Sequence, residues 1–200
     1  MLNVADSKST TMSAAVGRIV RLQVHAEPLK QDGAYVPDPL VSVDRASITA
    51  DGMLGWDDTG WIVDTHHRAH PRAKGGGNRV LSIGFTGHYA AMSDRFGSVP
   101  LGIAGENIVV DGPALTAADI IDGVLIRHTD GTETLLRTPQ PAVACVGFTS
   151  FLLGSEDVLE RREVADHLSF LSTGTRGFIL SIDHLDRPVE INVGEEVFRN

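Results

Sequence analysis

Apolar positions along this chain recur mostly with a period of two, in runs too short for helices. In GRIVRLQVH (17–25), Val20, Leu22 and Val24 alternate with Arg21 and Gln23, which predicts a half-buried strand. GWIVD (60–64), ENIVVDG (106–112) and AVACVGF (142–148) predict further short strands, and RVLSIGF (79–85) a buried one. VLIRH and ETLLRT flank an Asp130-Gly131 turn and predict a hairpin. RGFILSIDHL and PVEINV predict a final hairpin around DRP. Residues 30–40 and 65–78 read as loops from their Gly, Pro and polar content, and 41–52 as a mixed stretch turning at Asp51-Gly52.

The helical period is rarer. TGHYAAMSDRFG (86–97) predicts a short helix with Thr86 as N-cap and Gly97 as stop. LTAADIIDG (115–123) predicts a turn or two, with Thr116 and Asp119 at capping-box spacing. SEDVLERREVADHLSFL (155–171) predicts one long helix. No repeat or low-complexity linker interrupts the pattern, so a single domain over 17–200 is expected behind a flexible tail, 1–16. Many short strands with turn signals, and 21 glycines, favour a mostly β barrel or sandwich with a few short peripheral helices.

Composition narrows the function classes. Two hundred residues, 42% apolar and 22% charged, suffice for a globular core. A net charge of −9 argues against a non-specific grip on nucleic acid, although a local basic cluster can still hold a small anion. No apolar run is long enough to span a bilayer, and the first sixteen residues lack a secretory pattern. The one cysteine, Cys145, forms no internal disulfide, which suits a reducing cytosol, and a cytoplasmic location is expected.

Three stretches carry candidate chemistry. Cys145 is either a small buried hydrophobe or a reactive thiolate, and the second reading needs a cation or metal from elsewhere in the fold. THHRAHPRAKGGGNR (65–79) holds His66, His67 and His70, the cations Arg68, Arg72, Lys74 and Arg79, and three consecutive glycines. It reads as an anion cradle, as a solvated basic loop or, at spacings that match no usual motif, as a zinc site. GIAGENIVVDG (102–112) offers Glu106 and Asn107 at the start of a strand, beside a bend at Gly105. A nucleophile elbow, a Walker loop and a dinucleotide fingerprint are all absent.

The order of these stretches resembles the MOSC domain, named for the C-terminal domain of molybdenum cofactor sulfurase, and most of all its short stand-alone bacterial members. GGGNRVLSI with a following His-Tyr, GIAGENIVVDG and QPAVAC are similar to family stretches, in family order, over most of residues 17–198. Ala142 and Ala144 stand where the family usually has Arg and Pro before the cysteine. The resemblance implies a MOSC-type β-barrel and a site for the molybdenum cofactor, a molybdopterin, or for sulfur bound for it. By that resemblance Cys145 supplies a thiolate to molybdenum. Arg68, Arg72, Lys74 and Arg79 face its phosphate, His67 and His70 orient the ligand, and Glu106 and Asn107 bond the pterin edge. The pyridoxal phosphate of the sulfurase belongs to a separate domain and is not expected here.

Three functions follow, in order of preference. The first is a molybdenum-dependent oxidoreductase reducing N-hydroxylated compounds, fed by an external reductase because the chain carries no flavin or iron–sulfur signature. The second is a sulfur-carrying or cofactor-delivering module with a Cys145 persulfide. The third is a scaffold that binds another small anion. The substrate and the redox partner are not encoded in any readable motif. Small stand-alone barrels often dimerise through an edge strand, so a homodimer is one expected assembly.

Overall fold

The first strand has more partners than one straight ladder can serve, and this shapes the fold. The computed structural model describes residues 14–73, 81–182 and 184–200. In chain order the strands are β1 (Ala14–His25), β2 (Lys30–Gln31), β3 (Ala34–Tyr35), β4 (Leu40–Val43), β5 (Arg45–Thr49), β6 (Gly52–Trp56) and β7 (Trp61–Val63). After them come β8 (Leu81–Phe85), β9 (Ile108–Asp111), β10 (Val124–Arg127), β11 (Glu133–Pro141), β12 (Phe178–Ser181), β13 (Val189–Asn192) and β14 (Glu196–Arg199). The helices are α1 (Thr86–Phe96), α2 (Val146–Leu152) and α3 (Ala165–Phe170), the last widening into a turn over Leu171–Thr175.

β1 pairs first with β14, then with β9, and at its end with β4. The ladder order β14-β10-β11-β12-β8-β9-β1 therefore closes on itself through the β14–β1 pairing, as a seven-stranded barrel. Its neighbours are antiparallel except β8 and β9, which run parallel and are joined through α1. A second sheet, β13-β5-β6-β7, packs beside the barrel, where Gly55 of β6 lets Val24 and Val43 come close. This mostly β barrel with short peripheral helices is the architecture expected from the sequence. No helix among the described residues is long and apolar enough to cross a membrane.

Alternation on the strands fills two separate cores. Ile83, Phe85, Ile108, Val110, Phe178 and Leu180 belong to the larger cluster with the buried residues of β1 and the second sheet. Val109, one residue out of phase, joins Tyr89, Met92, Phe148, Leu168 and Leu171 under the helices. Tyr89 and Phe148 of this second cluster, with Tyr35, border the candidate site.

Several local expectations change. The pairing of β1 with β9 slips between Ile19 and Arg21, and the extra residue is Val20. The bulge turns Val20 outward (40% exposed) and puts Ile19, Leu22 and Val24 in the core. β1 begins at Ala14, so residues 14–16 are strand rather than tail. The expected loop over 30–40 contains the β2–β3 hairpin, turned by Asp32 and Gly33 at positive φ. Phe85, not Thr86, is the N-cap of α1, and the Thr86 hydroxyl bonds to Asp111 and Gly112 instead. The reciprocal Thr116–Asp119 bonds and the stop at Gly97 are present as read.

Three larger expectations fail. Residues 142–148 are not a strand: β11 ends at Pro141 and α2 begins at Val146. The long helix over 155–171 shrinks to α3. Ser150 and Glu163 side chains capture the backbone N–H groups of Leu159 and Glu160, and too few apolar residues between 155 and 163 are buried to hold a helix there. The final hairpin does not form, because β12 lies between β11 and β8 while β13 joins β5 in the other sheet.

Gly17 sits where β1 passes from β14 to β9, and a Cβ there would lie 1.6 Å from the Asp111 carbonyl oxygen. Gly17→Ala is expected to cost about 3 kcal/mol or more in chemical denaturation, through steric strain in the ladder. Gly60→Ala, with open space at its Cβ, should stay within about 0.5 kcal/mol.

Candidate functional site

The site begins where β1 and β7 end. Asp64 follows β7 and its side chain is fully buried. Oδ2 accepts from the His25 backbone N–H at 2.8 Å and from Asn107 Nδ2 at 3.0 Å. Oδ1 accepts from the His66 backbone N–H at 2.8 Å and from His66 Nδ1 at 2.9 Å. Burial alone would raise the carboxyl's pKa, but the His66 hydrogen bond and the nearby imidazoles outweigh it and hold it at about 2. Asp64 is therefore an ionised anchor over the whole neutral range.

Two imidazoles flank it, with ring centroids 5.1 Å apart in an edge-on arrangement. His25 Nε2 lies 2.7 Å from the Gly105 carbonyl oxygen. A carbonyl only accepts, so this nitrogen carries the proton and Nδ1 keeps its lone pair. Burial lowers the His25 pKa, against the pull of Asp64, and favours the neutral ring. His66 donates from Nδ1 to Asp64, leaving Nε2 as its unprotonated nitrogen in the neutral ring.

Gly105, at φ 87°, turns the chain so that Glu106 and Asn107 leave on different sides. Asn107 continues the parallel ladder with side-chain bonds: its Oδ1 accepts from the Ser82 N–H and hydroxyl, and its N–H donates back to Ser82 Oγ. Glu106 is buried. Oε2 accepts from the Tyr89 hydroxyl at 2.6 Å, and Oε1 has no hydrogen-bond partner. Gly84 and Gly177 make room for it, since a Cβ at either would lie 2.4 Å and 3.2 Å from Oε1. Burial pushes the Glu106 pKa up to about 7, against the Tyr89 hydrogen bond and the Arg176 charge, which lower it.

Arg176 links this corner to the cysteine. Its Nη1 donates to the Val143 carbonyl at 3.0 Å, its Nη2 to the Ala104 carbonyl at 3.3 Å, and its guanidinium lies 4.7 Å from the Phe148 ring centre. Cys145 is half-buried and extended, and caps α2: its Sγ accepts the Phe148 N–H at 3.5 Å. Tyr35 packs edge-on against Phe148 and donates to the Ile103 carbonyl at 2.5 Å. Burial raises its own pKa, against the nearby Arg176 charge, which lowers it. Arg176 thus places a guanidinium on the loop that follows Ala142.

The basic stretch divides. His66, not His67 or His70, joins the Asp64 cluster. His67 spends both ring nitrogens on Ala69 N–H and Thr49 Oγ1, and His70 spends both on Arg72 N–H and the Ala26 carbonyl. Arg68 pairs with Asp51 and Arg72 with Glu27. Lys74 and Arg79 lie outside the described residues. Glu106, Asn107 and Cys145 come to one region, joined by His25, Tyr35, Asp64, Tyr89 and Arg176. Of these, His25 and Asp64 stood at strand ends, a readable position; Arg176 carried no signal in the sequence.

A family profile described as MOSC domain matches residues 70–198. The crystal structure of the YuaD protein from Bacillus subtilis is similar, at 16% identity and a TM-score of 0.54, covering 92% of this chain and 93% of that one. A crystal structure described as a hypothetical protein shares 16% identity at a TM-score of 0.52, over 92% and 67%. YiiM from Geobacillus stearothermophilus shares 15% identity at a TM-score of 0.45, over 92% and 73%. No curated protein sequence matches.

The Glu106 carboxyl binds more protons folded than unfolded between its ordinary value of 4.5 and about 7. Its contribution to stability therefore falls as pH rises through that window, by roughly 3 kcal/mol. Urea denaturation at pH 5 and pH 8 should show this slope in the wild type and a flatter one in Glu106→Gln. An equal slope in both proteins would assign the titration to another group.

Proposed function

The chain belongs to the MOSC domain family, and from that premise we propose that it binds the molybdenum cofactor at the corner of Glu106, Asn107, Arg176 and Cys145, with Cys145 as the thiolate ligand. One observation carries the reading. Arg176 spans the Val143 and Ala104 carbonyls and so fastens the cysteine loop to the Gly105–Glu106–Asn107 bend. The loop that carries a soft sulfur donor and the bend that carries a buried carboxyl with an orphan oxygen are thus joined through one cation.

The residues fit the group's chemistry. Thiolate suits a soft metal, and coordination keeps it deprotonated. The pterin edge carries N–H groups, and Glu106 Oε1 is an acceptor with nothing to accept. A carboxyl with a pKa of about 7 can present either a lone pair or an O–H at neutral pH. Asn107 is committed to Ser82, Gln23 and Asp64, so in this reading it fixes the bend rather than touching the ligand. Arg68 and Arg72 each face a carboxylate, which a phosphate would have to displace. Lys74 and Arg79 keep the anion-binding role read from the sequence.

In the enzymatic form, molybdenum held by Cys145 would supply two-electron redox chemistry, with electrons from an external reductase. Reduction of an N-hydroxylated compound consumes two electrons and two protons and releases water. Glu106 can hold one such proton, behind Tyr89. In the non-redox form the same cysteine carries a persulfide.

Protein produced in a host with intact molybdenum-cofactor synthesis is expected to contain near-stoichiometric molybdenum by elemental mass spectrometry, and Cys145→Ser to contain almost none. Arg176→Lys keeps the charge but cannot span two carbonyls, and should weaken retention by about tenfold. Full molybdenum in Cys145→Ser would overturn the ligand assignment. An extra sulfur on Cys145 without molybdenum would support the carrier form.

A further inference from the structure

We propose that His25 and His66 form a site for a divalent transition-metal ion of the zinc class, independent of Cys145. The two imidazoles are held by fixed acceptors, His25 Nε2 by the Gly105 carbonyl and His66 Nδ1 by Asp64. Metal-binding histidines are oriented in this way, with a carbonyl or carboxylate behind one ring nitrogen and the metal on the other. The hydrogen bonds of the described residues engage only one nitrogen of each ring, leaving His25 Nδ1 and His66 Nε2 for a ligand.

Asp64 has a different part. One ligand atom from each of His25, Asp64 and His66 lies within 4.8 Å of the others, which suggests a three-ligand site at first sight. The four hydrogen bonds to its two oxygens, however, occupy the acceptor positions of a carboxylate. It therefore stands behind the ion as the orienting anion and supplies the negative charge that favours a cation there.

Metal-bound nitrogens at about 2.1 Å lie roughly 3.4 Å apart in a tetrahedral shell, so binding requires the two rings, with centroids 5.1 Å apart, to bring their free nitrogens to that spacing. The His66 side chain is 50% exposed and gives an entry path. Two imidazoles leave positions open for water or a ligand, which is the arrangement of a reactive rather than a purely structural ion. His67 and His70 do not take part, because their ring nitrogens are already bonded. Neutral nitrogen donors select this metal class over magnesium or calcium.

Cobalt(II) is the probe. Titrated into metal-free full-length protein, it is expected to give visible d–d bands that saturate at about one equivalent and are lost on adding zinc. His66→Ala and His66→Asn, each shown folded by circular dichroism, should weaken binding by at least tenfold, and Asp64→Asn by about ten- to a hundredfold. Cys145→Ala should bind as wild type, without a sulfur charge-transfer band in either. The proposal is overturned if no bands appear up to about a thousandfold excess of cobalt, or if His66→Ala binds as well as wild type. It is equally overturned if binding carries a sulfur band and disappears in Cys145→Ala. Because the readout needs no molybdenum, failure here leaves the cofactor reading intact, and the reverse holds.

Discussion

One buried carboxylate holds the site together. Asp64 sits in a region where an ionised group is costly, and only its full set of hydrogen bonds makes the charge tolerable. Those bonds come from His25 at the end of β1, from His66 in the loop after β7 and from Asn107 just before β9. The second sheet and the barrel thereby meet on a single side chain. Its position fixes both imidazoles through one network, and Asn107 carries that network on to Ser82 of β8. Such networks bind tightly when complete and poorly when any member is missing.

The second element of the site is a gap. Gly84 and Gly177 leave the outer face of the barrel bare beneath Tyr89, and Glu106 lays its carboxyl there. A side chain at either glycine would evict it. The dryness that raises the Glu106 pKa is thus made by two residues with no chemistry of their own. Beside it, Arg176 bonds to backbone carbonyls rather than to a carboxylate, so its charge is not cancelled by a partner acid. A net-acidic protein has in this way kept one cation available beside a thiol and a protonatable acid.

The barrel was legible because period-two alternation is a property of each strand alone. What alternation cannot show is a slip: Val20 reads as core and lies outside because its neighbour ladder skips a residue. AVACVGF failed as a strand for a different reason. Cysteine is not among the usual capping residues, yet the Cys145 thiol accepts the Phe148 N–H and starts a helix inside an apolar run. Glu106 and Asn107 were readable from the bend before their strand. His67 and His70 were reasonable choices from a histidine-rich loop, but which of three neighbouring histidines reaches Asp64 depends on turns that no spacing rule encodes. Arg176 reaches a loop more than thirty positions away, and only the pairing of β11 with β12 brings the two stretches together.

The pairing of Ala14 with Arg199 ties almost the first described residue to almost the last. On the ribosome, β1 must therefore leave the exit tunnel with its closing partner still unmade. At about 5 to 20 residues per second the wait lasts about ten to forty seconds. Throughout it the strand offers an apolar face and free backbone donors to any neighbouring chain. The barrel cannot close until β14 has been made, so the burden of keeping β1 from false pairing falls on the stretches made between the two.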